Sequence, residues 1–156
     1  KHIYASGSVV DSSYSTSEIL THSRIAAHNI IKAKARVSLH DNLSPRVIFG
    51  YPEVAVIGLT EDDCIKRDLK IKTSIAPLQL IAKSNTEDFS HGFVKLICDN
   101  KRKIIGASIV SPEASSLIGE LAIAIKYGMT VDEVTNIIHP FLGWSEAIRA
   151  AAYRIK

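Results

Sequence analysis

The sequence predicts an α+β fold for residues 45–156, an antiparallel sheet with helices packed on one side, behind a short N-terminal segment of different character. Three observations carry this. The stretches rich in β-branched residues from Arg46 onward are short and bounded by turn residues, and one pair of them is a plain hairpin. Two helical segments follow that hairpin and a third closes the chain. Residues 1–40, by contrast, read as strand, loop and helix, which is no domain by itself.

Taken in order, Ile3 to Val10 looks like a short buried strand ending in a glycine turn, and a serine-rich polar stretch runs from Asp11 to Ser17. Glu18 to Ala35 is predicted helical, with Ile19, Leu20, Ile25, Ala26, Ile30 and Ile31 on one stripe. Strand, loop and helix in this order suit the tail of an α/β nucleotide-binding domain, and Val37 to Ser44 reads as a linker. Arg46 to Tyr51 and Val54 to Gly58 are two strands broken at Pro52. Thr60 with Asp63 opens a short helix as a capping box, and Lys70 to Ile75 alternates as a strand does. Phe93 to Cys98 and Lys103 to Val110 flank a turn at Asp99 to Arg102. Pro112 suits a first helical turn, Leu117, Leu121 and Ile125 recur at fourfold spacing, and Gly128 ends that helix. Thr130 with Glu133 caps the next, which runs to about Ile138, and Ser145 to Ala152 reads as the last.

Composition sets the bounds. A length of 156 residues supports one domain with a real core, and 46% hydrophobic with 22% charged residues is the balance of a soluble globular protein. The net charge of +3 is small and its lysines and arginines are scattered, which argues against nucleic-acid binding. No apolar run approaches the roughly 20 residues that span a bilayer, and Lys1-His2-Ile3-Tyr4 does not open a signal peptide. The chain begins without a methionine and reads as a fragment or a processed product. Cys64 and Cys98 stand apart, outside any CxxC motif, and read as small buried hydrophobes in a reducing, cytoplasmic compartment.

This succession of segments resembles the pyridine nucleotide-disulfide oxidoreductase family, that of dihydrolipoamide dehydrogenase, glutathione reductase and mercuric reductase. Ile3-Tyr4-Ala5-Ser6-Gly7-Ser8-Val9 is similar to the family's second FAD motif, an apolar strand running into Ala-x-Gly-Asp. Pro45 to Phe49 followed by Tyr51-Pro52-Glu53-Val54-Ala55-Val56-Ile57-Gly58-Leu59-Thr60-Glu61 resembles the entry into its dimerisation domain. The hairpin from Gly92 to Ala107 and the closing Ser145-Glu146-Ala147 fit in order and spacing. The resemblance implies residues 1–40 as the C-terminal remnant of an FAD-binding domain and residues 45–156 as the dimerisation domain of a homodimer, its interface expected on the face of Leu117, Leu121 and Ile125 or on the final helix around Ile148. It also implies FAD and NAD(P) in the full-length protein, with none held by this chain alone. The redox cysteine pair would lie upstream, so the chain alone is not expected to catalyse.

The resemblance singles out two sites. Gly7 and Ser8 stand where family members contact the flavin's ribityl chain; serine replaces the acidic residue, bringing a hydroxyl but no charge. In the C-terminal loop, disulfide-reducing members carry a His-Pro pair whose histidine serves as base for the partner's dithiol, oriented by a glutamate. His139-Pro140 with Glu146 looks like that pair, but the interval is two residues too long. Aligned without a gap from Ser145-Glu146, the base position falls on Phe141, as on the mercuric-reductase side where a tyrosine occupies it. Phenylalanine transfers no proton. A plainer reading makes His139 a loop histidine and Glu146 a first-turn carboxylate favoured by the helix dipole. No metal site is read, and the chain ends without the cysteine pair with which mercuric reductases hand over metal. Beside the enzyme's interface domain stands a degenerate, non-catalytic relative that only dimerises or binds a partner, which Ser8 and Phe141 would suit.

Overall fold

In the computed structural model, residues 3–12, 14–38 and 43–156 are described, and the chain divides into two units, 1–44 and 45–156. The centre of the expected linker and Lys1-His2 lie outside the described residues.

The first unit is built on one helix, α1 (Thr16–Ile31). It starts where Ser15 and Glu18 form a capping box, each side chain taking the other's backbone N–H. Beyond its end, the buried Asn29 amide pairs with both backbone groups of Val37, at 2.9 and 2.8 Å. Residues 3–6 run beside α1, with Tyr4 Oη donating to the Asn29 carbonyl at 3.4 Å and Ser6 bonded to Ser23. The expected strand from Ile3 does not form: a strand's backbone groups need a partner strand, and the described residues of this unit offer none. The apolar stripe of α1 is also less covered than expected, since Leu20, Ile30 and Ile31 remain exposed. A single helix and a short flanking segment present too little surface to bury it.

The second unit is a five-stranded antiparallel sheet in the order β1-β2-β5-β4-β3. Its strands are β1 (Arg46–Ile48), β2 (Glu53–Gly58), β3 (Ile71–Pro77), β4 (Phe93–Asp99) and β5 (Ile104–Ser111). Between them come α2 (Glu61–Lys66), capped by Thr60 and Asp63, and the short α3 (Ala82–Thr86) after a tight turn at Leu78–Leu80. The sequence reading assigned nothing to that last stretch. Then follow α4 (Ala114–Lys126), α5 (Val131–Asn136) and α6 (Glu146–Arg154).

Register explains the layering. Directly paired residues share a face, so Ala55 with Ile109, Ile57 with Ala107, Ala107 with Leu96 and Val94 with Ala76 form one apolar surface. The buried residues of α4 and α6 join that surface in one core. Ser74, on the same face, donates to the carbonyl of Ala151 in α6 at 2.6 Å. The opposite face is half exposed, and the small α2 reaches it through the ion pair of Glu61 with Lys95.

This layering corrects one expectation. Leu117, Leu121 and Ile148, expected at a subunit interface, are buried inside the unit itself, at 8%, 0% and 0% exposure, with Ile125 packed beside them. The fourfold recurrence that marked them reflects attachment of the helix to its own sheet.

Candidate functional site

The C-terminal loop between α5 and α6 starts from a fixed point. Thr130 accepts from the Glu133 N–H and Glu133 returns the bond, so α5 has a defined start and ends at Asn136. Residues 137–145 then cross to α6. Gly143 N donates to the Pro140 carbonyl at 3.1 Å, closing a turn with Phe141 and Leu142 at its tip. Leu142 has φ +64°, a left-handed conformation unusual for a bulky residue, and the turn leaves Phe141 75% exposed. Trp144 is buried on the other side, its ring edge-on to Phe89 with centroids 6.0 Å apart.

The structure separates the candidate site residues of this loop into two places. His139 turns towards α4: its Nε2 lies 2.8 Å from Glu120 Oε1 and its Nδ1 lies 3.0 Å from the Ile137 carbonyl. Glu146, on the first turn of α6, lies elsewhere: its Oε1 is 4.0 Å from Arg149, and its buried Oε2 has no hydrogen-bond partner among the described residues. Phe141 and Glu146 line a common open cavity of about 450 Å³, together with Leu80, Ile81, Arg149 and Tyr153. Glu120 and Tyr153 escaped the sequence reading. Glu120 sits one residue before the buried Leu121, at the rim of the apolar face of α4, and a charged residue there is its only signal.

Gly7 has φ +92°, and its carbonyl accepts from Val10 N in a turn that leaves Ser8 exposed. A Cβ there would meet only Ile19, at 3.9 Å, so the backbone is open to close approach. Ser8 beside it carries a neutral hydroxyl. Burial pushes the thiols of Cys64 and Cys98 up, away from the reactive thiolate, and both are free. Among the described residues no group of three His, Cys, Asp or Glu is placed to hold a metal ion. Nor is any described helix long and apolar enough to cross a membrane.

Residues 44–152 match the family described as pyridine nucleotide-disulphide oxidoreductase, dimerisation domain. The chain belongs to that family. As a dimerisation domain it is similar to the dihydrolipoyl dehydrogenase of Haloferax volcanii, 31% identical over 153 residues, 97% of this chain and 32% of that protein. A mercuric reductase of Lysinibacillus sphaericus is 34% identical over 109 residues, 69% of the chain and 20% of that protein. The domain thus spans a third or less of these relatives. Among solved structures, LpdA of Mycobacterium tuberculosis superposes with a TM-score of 0.88 at 26% identity, covering 97% of this chain and 33% of that one. The HOCl-induced flavoprotein disulfide reductase RclA of Escherichia coli shares the fold, with a TM-score of 0.89 at 21% identity over 98% of this chain and 35% of its own. The expected family and α+β fold therefore hold.

Proposed function

We propose that this dimerisation domain belongs to an FAD- and NAD(P)-dependent disulfide oxidoreductase that works as a homodimer in a reducing, cytoplasmic compartment. In it, residues 1–40 complete an FAD-binding domain, and the C-terminal loop is presented to the partner subunit's active site. The observation that carries this reading is that Phe141, at an exposed turn tip, shares a cavity with the half-satisfied Glu146 while His139 is engaged by Glu120. Phe141 therefore occupies the position that a histidine base holds in the disulfide-reducing members, and Glu146 keeps the carboxylate that would orient it. Phe141 supplies an apolar wall that excludes water and transfers no proton. The exposed Leu20, Ile30 and Ile31 of α1 support a larger FAD-binding domain around the first unit. Gly7 gives the cofactor backbone access, and Ser8 gives it one hydroxyl. Bound FAD supplies the two-electron redox chemistry.

The test is anaerobic titration of the flavin-loaded full-length protein with NADH and NADPH. Bleaching of the flavin absorbance by either supports the reading. A full-length protein that takes up no flavin, or whose flavin neither nucleotide reduces, would show the degenerate relative instead.

A further inference from the structure

His139 meets acceptors on both sides. Its Nδ1 lies 3.0 Å from the Ile137 carbonyl oxygen, its Nε2 lies 2.8 Å from Glu120 Oε1, and its side chain is only 3% exposed. A carbonyl oxygen can only accept, so Nδ1 must carry a proton. An ionised carboxylate also only accepts, so the second contact needs another proton, on Nε2 or on Glu120 itself. Without it, the lone pair of a ring only 3% exposed would face the negative charge of Glu120, whose side chain is 33% exposed, and the ring nitrogen would lose its bond.

The neighbouring charged groups are engaged elsewhere. Glu133 of α5 is bound into its cap, Asp132 of α5 pairs with Arg102, and Glu146 of α6 faces Arg149. Among the described residues, Glu120 of α4 is the one carboxylate within 4.0 Å of the His139 ring. Between His139 and the buried Trp144, the loop is closed by the single Pro140–Gly143 turn and contains Leu142 at φ +64°. The position of Phe141 thus depends on two anchors, His139 on α4 and Trp144 on Phe89.

We propose that His139 and Glu120 form a proton-dependent clasp. One proton held between Nε2 and Oε1 fixes the loop that carries Phe141, and loss of that proton releases it. His139 is a positioning residue that acts through the loop and on no reacting atom. The clasp is a property of this chain whether or not the loop serves a flavin site. Failure of the flavoenzyme reading would appear in the full-length titration and would leave the measurements below untouched.

Trp144 is the single tryptophan, so its emission reports on the loop. Nitrogen-15 and carbon-13 spectra of the His139 ring and the Glu120 carboxyl locate the shared proton as pH is raised. The expected result is that its loss and a shift in Trp144 emission titrate together. In Glu120→Gln the amide N–H₂ can donate to Nε2 of a neutral ring while Nδ1–H still serves Ile137, so the clasp stays closed and the Trp144 titration flattens. In Glu120→Ala the shifted emission is expected at every pH. The proposal is overturned if Glu120→Gln keeps the wild-type pH course, if Glu120→Ala leaves the emission unmoved, or if the closed loop contains a singly protonated ring beside an ionised Glu120.

Discussion

His139 Nε2 lies 2.8 Å from Glu120, whereas Glu146 has one carboxylate oxygen buried with no hydrogen-bond partner among the described residues. His139 and Glu146 therefore sit in different places, and Glu146 shares a cavity with Phe141. If the full-length protein is the proposed flavoenzyme, replacing His139 should then cost little chemistry. His139→Ala is expected to keep turnover within about tenfold, where removal of a general base costs about 10²-fold or more. Steady-state kinetics with flavin content and dimer confirmed decide it.

Phe141→His should have the opposite character. It places an imidazole at the turn tip, in the cavity that Glu146 also lines. The turnover of the full-length variant is expected to acquire a new titration in the range of an ordinary histidine, about pH 6.5. A pH–rate profile identical to that of wild type would mean that the tip does not face the reacting groups.

The helices' starts were legible because their signals are local: Thr60 with Asp63 and Thr130 with Glu133 are capping boxes in both sequence and structure. The hairpin was legible for the same reason, since its turn residues adjoin its strands. The capping box of Ser15 and Glu18 is equally local, and it starts α1 two residues before the expected Glu18. What could not be read depends on distant partners. Ile3 to Val10 has a strand's composition, yet pairing decides strands, and the described residues provide no mate. The bond from Glu120 to His139 crosses 19 positions and has no local signature.

Two glycines should respond oppositely to alanine. At Gly106 a Cβ would lie 2.0 Å from the Leu59 carbonyl oxygen, where the chain leaving β2 crosses β5. Gly106→Ala is expected to destabilise by about 1–3 kcal/mol or more. At Gly119, within α4 and exposed, a Cβ would meet nothing within 4 Å. Gly119→Ala is expected to stabilise by about 0.5–1 kcal/mol through helix propensity. Urea unfolding of both variants measures the difference.

Stability should fall on the acid side. Hydrogen bonds from Ser115 hold the Glu53 carboxyl below its usual range, bonds from Thr60 and Thr130 do so for Asp63 and Glu133, and Arg102 does so for Asp132. Each folded-state value lies below the unfolded one. The associated stability is therefore fully present above the ordinary carboxylate range, near pH 4, and is lost as pH falls through the lowered values. Thermal melts between neutral pH and about pH 3 should show a declining midpoint. Glu53→Gln should flatten part of that decline, and an unchanged slope in this variant would remove Glu53 from the account.

As a dimerisation domain, this chain should associate through a surface outside its own core. With Leu117, Leu121 and Ile148 buried, the apolar groups left for a partner include Ile138, Phe141 and Tyr153 around the C-terminal loop. Sedimentation velocity on the flavin-loaded full-length protein, wild type against Ile138→Asp, tests this most directly. Wild type is expected to sediment as a dimer, and Ile138→Asp to shift towards monomer with the fold intact. A wild-type protein that sediments as a monomer at every accessible concentration would contradict it.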